Sequence, residues 1–233
     1  MFATLQSTRN KIIIYGGNGF VGTHLAEKLS SNKELCVVCL SRSGHKPLHL
    51  KDQPWSEKVR WCKGDANSPN EDLLSTAEVV VILVGSPPIP TLSKKAYQKQ
   101  LNSNGEAPSR VIEAALKVGV KRIVLMGAQI PFFLNKDFFA YSRGKRNALE
   151  DAKNFADTSD EHSAVVFQPA AIYGKRRLAS GKVIPLDTFM SPLRKVVPSQ
   201  FMCVNRLSIQ LTNVILNHEV YQGKFTLFKQ GDI

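Results

Sequence analysis

The segment "KIIIYGGNGFVGTHLAEKL", residues 11–29, leaves this chain few folds to choose from. A β-branched apolar run stops at Tyr15, glycines follow at Gly16, Gly19 and Gly22, and apolar residues then recur at helical spacing. Glycine at these points permits a tight turn, lets backbone N–H groups approach a pyrophosphate and allows a helix to pack close on its strand. The N-terminus of that helix would face the phosphates with its partial positive charge. Asn18, Phe20 and Val21 fall in the turn and the first helical positions, and are expected to line the same cradle. Strand-to-helix turns need glycine for other reasons too. What specifies a dinucleotide site is the context, the first strand of an alternating chain.

The alternation continues to Gly174. Apolar runs at 11–15, 35–40, 59–62, 79–84, 122–126 and 164–168 predict strands, and segments at 21–30, 69–77, 94–118 and 141–156 predict helices. This rhythm predicts an α/β fold: a Rossmann-type doubly wound parallel sheet with helices on both faces, right-handed crossovers, and ligands at the carboxyl ends of the strands. Residues 1–174 are expected to form that core. Residues 175–233, with prolines at Pro185, Pro192 and Pro198, read as loops and short helices over the mouth of the sheet. A helix at 207–217 and a strand at 224–228 follow, completing a small C-terminal substrate-side lobe that does not fold independently. With 233 residues, 43% of them hydrophobic, the chain has material for one such core and no second complete domain.

The ends of the later strands carry further candidates. About twenty residues past the glycine turn, an NAD enzyme offers an acidic residue to the ribose hydroxyls; here stand Ser41, Arg42 and Ser43. A guanidinium between hydroxyls suits a ribose 2′-phosphate, so NADP(H) is expected ahead of NAD(H). The alternative is an exposed loop arginine stacked on adenine. Asp65, followed by Ala66, either accepts from the adenine amino group or forms a turn. Gly85 and Ser86 end the fourth strand and are expected beneath the cofactor. Asn102 either projects from its helix towards the fifth strand or is a helix-surface amide.

The fifth strand leads into "MGAQIPFFLNKDFFAYSRGK", residues 126–145, with Tyr141 and Lys145 on one helical face. A phenol titrates near 10, and an adjacent ammonium stabilises its phenolate, which makes the pair usable for proton transfer beside a nicotinamide. The same spacing also describes an ordinary amphipathic pair. Phe132, Phe133 and Phe138, with Phe139, either receive a flat hydrophobic substrate or pack their loop onto the core.

Taken together, "YGGNGFVG", the N-x-x-G at 102–105, "EAALKVGVKRIV", "YSRGK" and "FQPAAIYG" resemble the extended and atypical short-chain dehydrogenase/reductases, the NAD-dependent epimerase/dehydratase-like proteins. "SRSGHKP" followed by "QPWSEKVRWCKGD" is most similar to the branch holding the coenzyme Q biosynthesis member and the nucleotide-binding accessory subunit of respiratory complex I. The resemblance implies NADP(H) binding, Tyr141 as general acid, and Lys145 as its partner and as holder of the nicotinamide ribose. It also implies a serine or threonine donor where this chain has Gly127 and Ala128, with Gly127 still flanking the cofactor. Gln129 or Ser86 is expected to replace that donor. Gln168 stands where relatives often carry arginine and Ala170 where they often carry glycine, and the backbone from Pro169 to Ile172 is expected to pass the nicotinamide. Members of the branch often lack demonstrated turnover and are associated with quinone metabolism or respiratory assemblies.

A net charge of +12 and a pI near 9.6 favour anionic partners such as dinucleotides, phosphorylated substrates or anionic lipid. No nucleic-acid-binding signature is visible. The longest apolar runs are far too short to span a bilayer, and "MFATLQSTRN" lacks a secretory core, reading as a short arm with an organellar address left open. The expected location is cytoplasmic or peripheral to a membrane, on the mitochondrial matrix face in a eukaryote. Cys36 and Cys39 form a C-x-x-C on a strand and should point to opposite faces as reduced thiols, and the five histidines show no metal-binding spacing. Three functions compete: a slow NADPH-dependent oxidoreductase on a hydrophobic or quinone-like substrate, a non-catalytic NADPH-binding assembly or sensor protein, and an NADP-dependent sugar-nucleotide epimerase or reductase. The short stretch after Gly174 argues against the third.

Overall fold

Alternating β-branched runs and helical segments assemble as the periodicity predicts. The computed structural model describes residues 10–177, 183–185, 191, 197 and 200–233. Its main sheet has seven strands, all parallel: β1 (Asn10–Tyr15), β2 (Leu35–Ser41), β3 (Arg60–Lys63), β4 (Val79–Ile82), β5 (Arg122–Met126), β6 (Ser163–Gln168) and β11 (Phe225–Lys229). The order across the sheet is β11-β6-β5-β4-β1-β2-β3. The winding therefore reverses between β1 and β4, which opens a crevice at their carboxyl ends, where such sheets take ligands.

Period-two alternation divides the core into two layers. Ile13, Tyr15 and Val80 face α4 (Ala107–Lys117) and α5 (Ala140–Asp157), packing with Val111, Ala115, Ala148 and Phe155. Ile12, Ile14 and Val81 face α1 (Phe20–Leu29) and α6 (Val204–Leu216), packing with Leu25, Leu29, Leu207 and Leu211. Cys39 lies in the second layer and Cys36 against the first, as the strand spacing requires. The late helix α6 rests on α1, and β11 joins the sheet edge beside β6, so the C-terminal residues complete the core. Among the described helices, none is long and apolar enough to cross a membrane.

Some elements differ from the sequence expectation. The helix expected at 94–118 is interrupted: α3 (Lys94–Leu101) passes through a π-helical turn, Asn102–Glu106, before α4 begins. The helix expected at 69–77 shrinks to α2 (Glu71–Leu74), started by Asn70, whose side chain accepts from the Leu73 N–H at 2.8 Å. In place of loops after Gly174 there is a ribbon of β8 (Lys175–Arg177) antiparallel to β9 (Val183–Pro185). Most of the loops and short helices expected at 178–199 lie outside the described residues. A parallel pair, β7 (Ala171–Tyr173) with β10 (Phe201–Cys203), carries the chain back over the sheet.

Candidate dinucleotide and nicotinamide site

The turn after β1 is built from backbone with no room for side chains. Gly16 sits at φ +82°, and a Cβ there would lie 3.1 Å from the Leu83 backbone, just past β4. On Gly22 a Cβ would stand 2.3 Å from the Gly16 carbonyl oxygen, which already accepts the Gly19 N–H at 2.9 Å. Gly17, absent from the expected set, is as constrained: its Cβ would meet the Cβ of Cys39 at 2.4 Å. The doubled glycine in "YGGNG" is its only sequence signal. Gly19 caps α1 without a side-chain hydrogen bond, and no acidic residue occupies the first turn. The opening N–H groups are thus left to an external anion, which is what a pyrophosphate needs. Val21 packs on the second core layer, and Phe20 stacks edge-on to His24 with centroids 5.6 Å apart. A cavity of about 270 Å³ opens beside the turn, lined by Asn18, Gly19, Phe20, Trp55 and Lys175 among others.

Next to the turn, Asn18 Nδ2 donates to Ser43 Oγ at 3.4 Å, the Ser41 and Ser43 hydroxyls are 3.3 Å apart, and Ser41 Oγ accepts the Gly44 N–H at 3.1 Å. Three expected residues therefore meet at one rim, with Arg42 exposed on it. Asp65 behaves as the turn former: its Oδ1 accepts the Asn67 N–H at 2.9 Å and Asn67 Nδ2 at 3.1 Å. The Ala66 side chain is buried in the first core layer and leaves only backbone for a ligand.

Asn102 does not project towards β5. Its Nδ2 donates to Asn67 Oδ1 at 2.8 Å and Glu106 Oε2 at 3.0 Å, because the π-helical turn rotates it outward. Asn104 takes the inward position and is fully buried. Its Nδ2 donates to Ser86 Oγ (2.8 Å) and the Gln100 carbonyl (2.9 Å), while its Oδ1 accepts the Ser86 N–H (3.2 Å). Ser86 is thus fixed by Asn104. A Cβ on Gly85 would lie 3.0 Å from Asn104 Oδ1 and 3.4 Å from Lys145 Nζ, so this glycine leaves the polar cluster open to a ligand. The π-helical turn reaches α5 through a glycine pair: a Cβ on Gly105 would meet Gly144 Cα at 2.8 Å, and one on Gly144 would meet the Gly105 nitrogen at 2.9 Å. The glycine inside "YSRGK" is its signal.

Lys145 is only 8% exposed, and its Nζ donates to the Met126 carbonyl at 2.8 Å, at the end of β5. Burial pulls its ammonium down to about 8. Tyr141, one turn earlier and half-buried, is pushed up to about 12 by burial. This reverses the expected effect of Lys145 on the phenol: the ammonium is engaged by Met126, and desolvation dominates. Tyr141 therefore keeps its proton at neutral pH.

Gly127 donates its N–H to the Phe167 carbonyl at 2.8 Å, and a Cβ there would lie 3.1 Å from Gln168 Cγ. The side chain of Gln168 fills the room that a serine at this position would use. Ala128 is buried, and Gln129 is exposed, with its N–H on the Pro169 carbonyl at 3.0 Å. Ile172 packs on the second core layer, and the Ala170 N–H is held by Gln230 Oε1 at 3.0 Å. The phenylalanines do not pack the loop onto the core: Phe132, Phe133 and Phe138 are exposed.

A doubly wound parallel sheet, a glycine turn at its switch point and a Tyr-x-x-x-Lys helix beside β5 define a short-chain dehydrogenase/reductase fold. The family model described as the NAD dependent epimerase/dehydratase family matches residues 12–188, and the chain belongs to that family. An uncharacterised chloroplastic protein of Arabidopsis thaliana is 32% identical over 212 residues, covering 88% of this chain and 65% of its own length. The decarboxylating sterol-4-alpha-carboxylate 3-dehydrogenase of Candida albicans is 26% identical over 203 residues, covering 78% and 55%. The chain thus spans less than two thirds of these relatives. Among solved structures, UDP-glucuronic acid 4-epimerase from Bacillus cereus, with UDP-glucuronic acid and NAD, aligns with a TM-score of 0.71 at 15% identity, covering 94% of this chain and 77% of its own. That likeness concerns the fold.

Proposed function

We propose that the chain binds a nicotinamide dinucleotide, NADP(H) ahead of NAD(H), and acts as a slow oxidoreductase on a hydrophobic carbonyl or quinone-like substrate. One observation carries the reading: buried Lys145 meets Asn104 and the side-chain-free Gly85 at the carboxyl end of β5, with Tyr141 one turn before it on the same helix. The glycine turn and the uncapped start of α1 would hold the pyrophosphate, the Ser41–Arg42–Ser43 rim the adenosine ribose and its 2′-phosphate, and Lys145 the nicotinamide ribose. When bound, the reduced nicotinamide supplies a hydride. Tyr141 gives its proton to the substrate oxygen and regains one from water. Oxidation of NADPH across a panel of hydrophobic ketones, quinones and a UDP-sugar tests this. Turnover is expected with an apolar member and is expected to vanish in Tyr141→Phe with dinucleotide affinity within about threefold. Turnover that survives the substitution rejects the mechanism.

A second reading, a dinucleotide-binding assembly or sensor protein without turnover, is favoured by Gly127 and Ala128. A missing oxyanion donor costs on the order of 10²–10³ in rate. Robust turnover of any panel member excludes it.

A further inference from the structure

We infer that the face formed by the loops after β4 and β5 docks onto an anionic phospholipid bilayer. Five large apolar side chains on these two loops are 60% exposed or more: Ile89 (64%), Leu92 (99%), Phe132 (86%), Phe133 (60%) and Phe138 (69%). Single exposed hydrophobes are ordinary, but a group of five on adjoining loops marks an interaction surface.

The loops are held in this outward posture. Gln100 Nε2 donates to the Pro87 and Ile89 carbonyls at 3.0 and 2.9 Å, and Tyr97 from the same helix donates its hydroxyl to the Asp137 carbonyl at 2.9 Å. On the other side the buried Ser142 hydroxyl donates to the Leu134 carbonyl at 2.7 Å, and Arg146 bonds Asn135. The helix α3 thereby ties both loops into one surface.

Charge selects the occupant. Residues 85–99 contain no acidic side chain, and residues 129–146 contain only Asp137, which is paired with Arg146. Lys94, Lys95, Lys136 and Arg143 are exposed around the apolar tips. Lys94 and Lys95 open α3, where the helix dipole disfavours cations and acidic residues are the usual choice. Lysine is depleted at protein–protein interfaces, whereas phenylalanine and leucine tips ringed by lysine suit the headgroup boundary of an anionic membrane. Docked this way, the end of β5 would face the lipid, and a lipid-dissolved substrate would reach it without crossing water.

Co-sedimentation of the full chain with vesicles of phosphatidylcholine alone, and of phosphatidylcholine mixed with phosphatidylglycerol, tests this. Binding is expected to be roughly tenfold stronger on the mixed vesicles and to weaken with salt. Leu92→Ser with Phe132→Ser, and separately Lys94→Glu with Lys95→Glu, are each expected to reduce it about fivefold or more at unchanged melting temperature. Equal or absent binding to the two vesicle types overturns the inference. So does wild-type binding by both variants, or a concentration-dependent dimer that the Leu92 and Phe132 changes dissolve.

Discussion

At pH 7 Lys145 is an ammonium in a site that favours its neutral form, and this fixes the sign of a pH dependence. Unfolded, it holds its proton to about 10.5; folded, it releases it near 8. Between those values the unfolded chain binds more protons, so stability rises with pH across the window. The cost below it is on the order of 3 kcal/mol. Urea unfolding of wild type and Lys145→Met at pH 7 and above 10.5 measures this: the difference between them is expected to shift by about that amount in favour of wild type at high pH. A second test at this scale concerns Gly127. Gly127→Ser alone is expected to lose about 1 kcal/mol, because its Cβ presses on Gln168. Gly127→Ser with Gln168→Ala removes the nearest contact and leaves the Phe167 carbonyl oxygen and Val166 Cγ1 at 3.2 Å, and is expected to turn over about a hundredfold faster than wild type if the missing hydroxyl limits the rate. The spacing of Tyr141 and Lys145 placed them on one helical face, while their proposed roles came from the family resemblance. The pull of Met126 on Lys145 was not legible, because a backbone carbonyl has no letter in the sequence.

Among the elements, the π-helical turn at Asn102–Glu106 does the most to position the site. The extra residue per turn rotates Asn102 out, brings Asn104 in, and lets Gly105 close on Gly144. Regular 3.6-residue spacing leaves Asn102 open between an inward and a surface position and gives no sign that Asn104 is the buried amide. Strands were readable because β-branched runs bounded by glycine and polar turns leave little ambiguity. The interrupted helix was not, since π-turns carry no compositional signature. Gly144→Ala puts a methyl against backbone that cannot yield, and is expected to lose about 2 kcal/mol in urea unfolding. It should also weaken dinucleotide binding, because the same contact seats Asn104 and Lys145. Gly119→Ala has open space around its Cβ and only its φ of +79° to offend, so about 1 kcal/mol and unchanged binding are expected there.

For the whole molecule, the order of strand and helix along the sequence was enough to place the ligand crevice, since a doubly wound parallel sheet has only one reversal. The contribution of the C-terminal residues is a matter of long-range packing: β11 pairs with β6, and α6 lies on α1. Hydrophobic patterning marks such elements but does not name their partners. A ligand bound only by the folded chain should raise its stability, by about 2.7 kcal/mol at a hundred times the dissociation constant. The most direct test is calorimetric titration of the full chain with NADPH and with NADH, repeated on Arg42→Ala. One saturable site per chain is expected for each, NADPH binding more tightly and its advantage falling about tenfold in the variant. An unchanged ratio would remove the 2′-phosphate assignment, and no saturable binding of either dinucleotide would contradict the account as a whole.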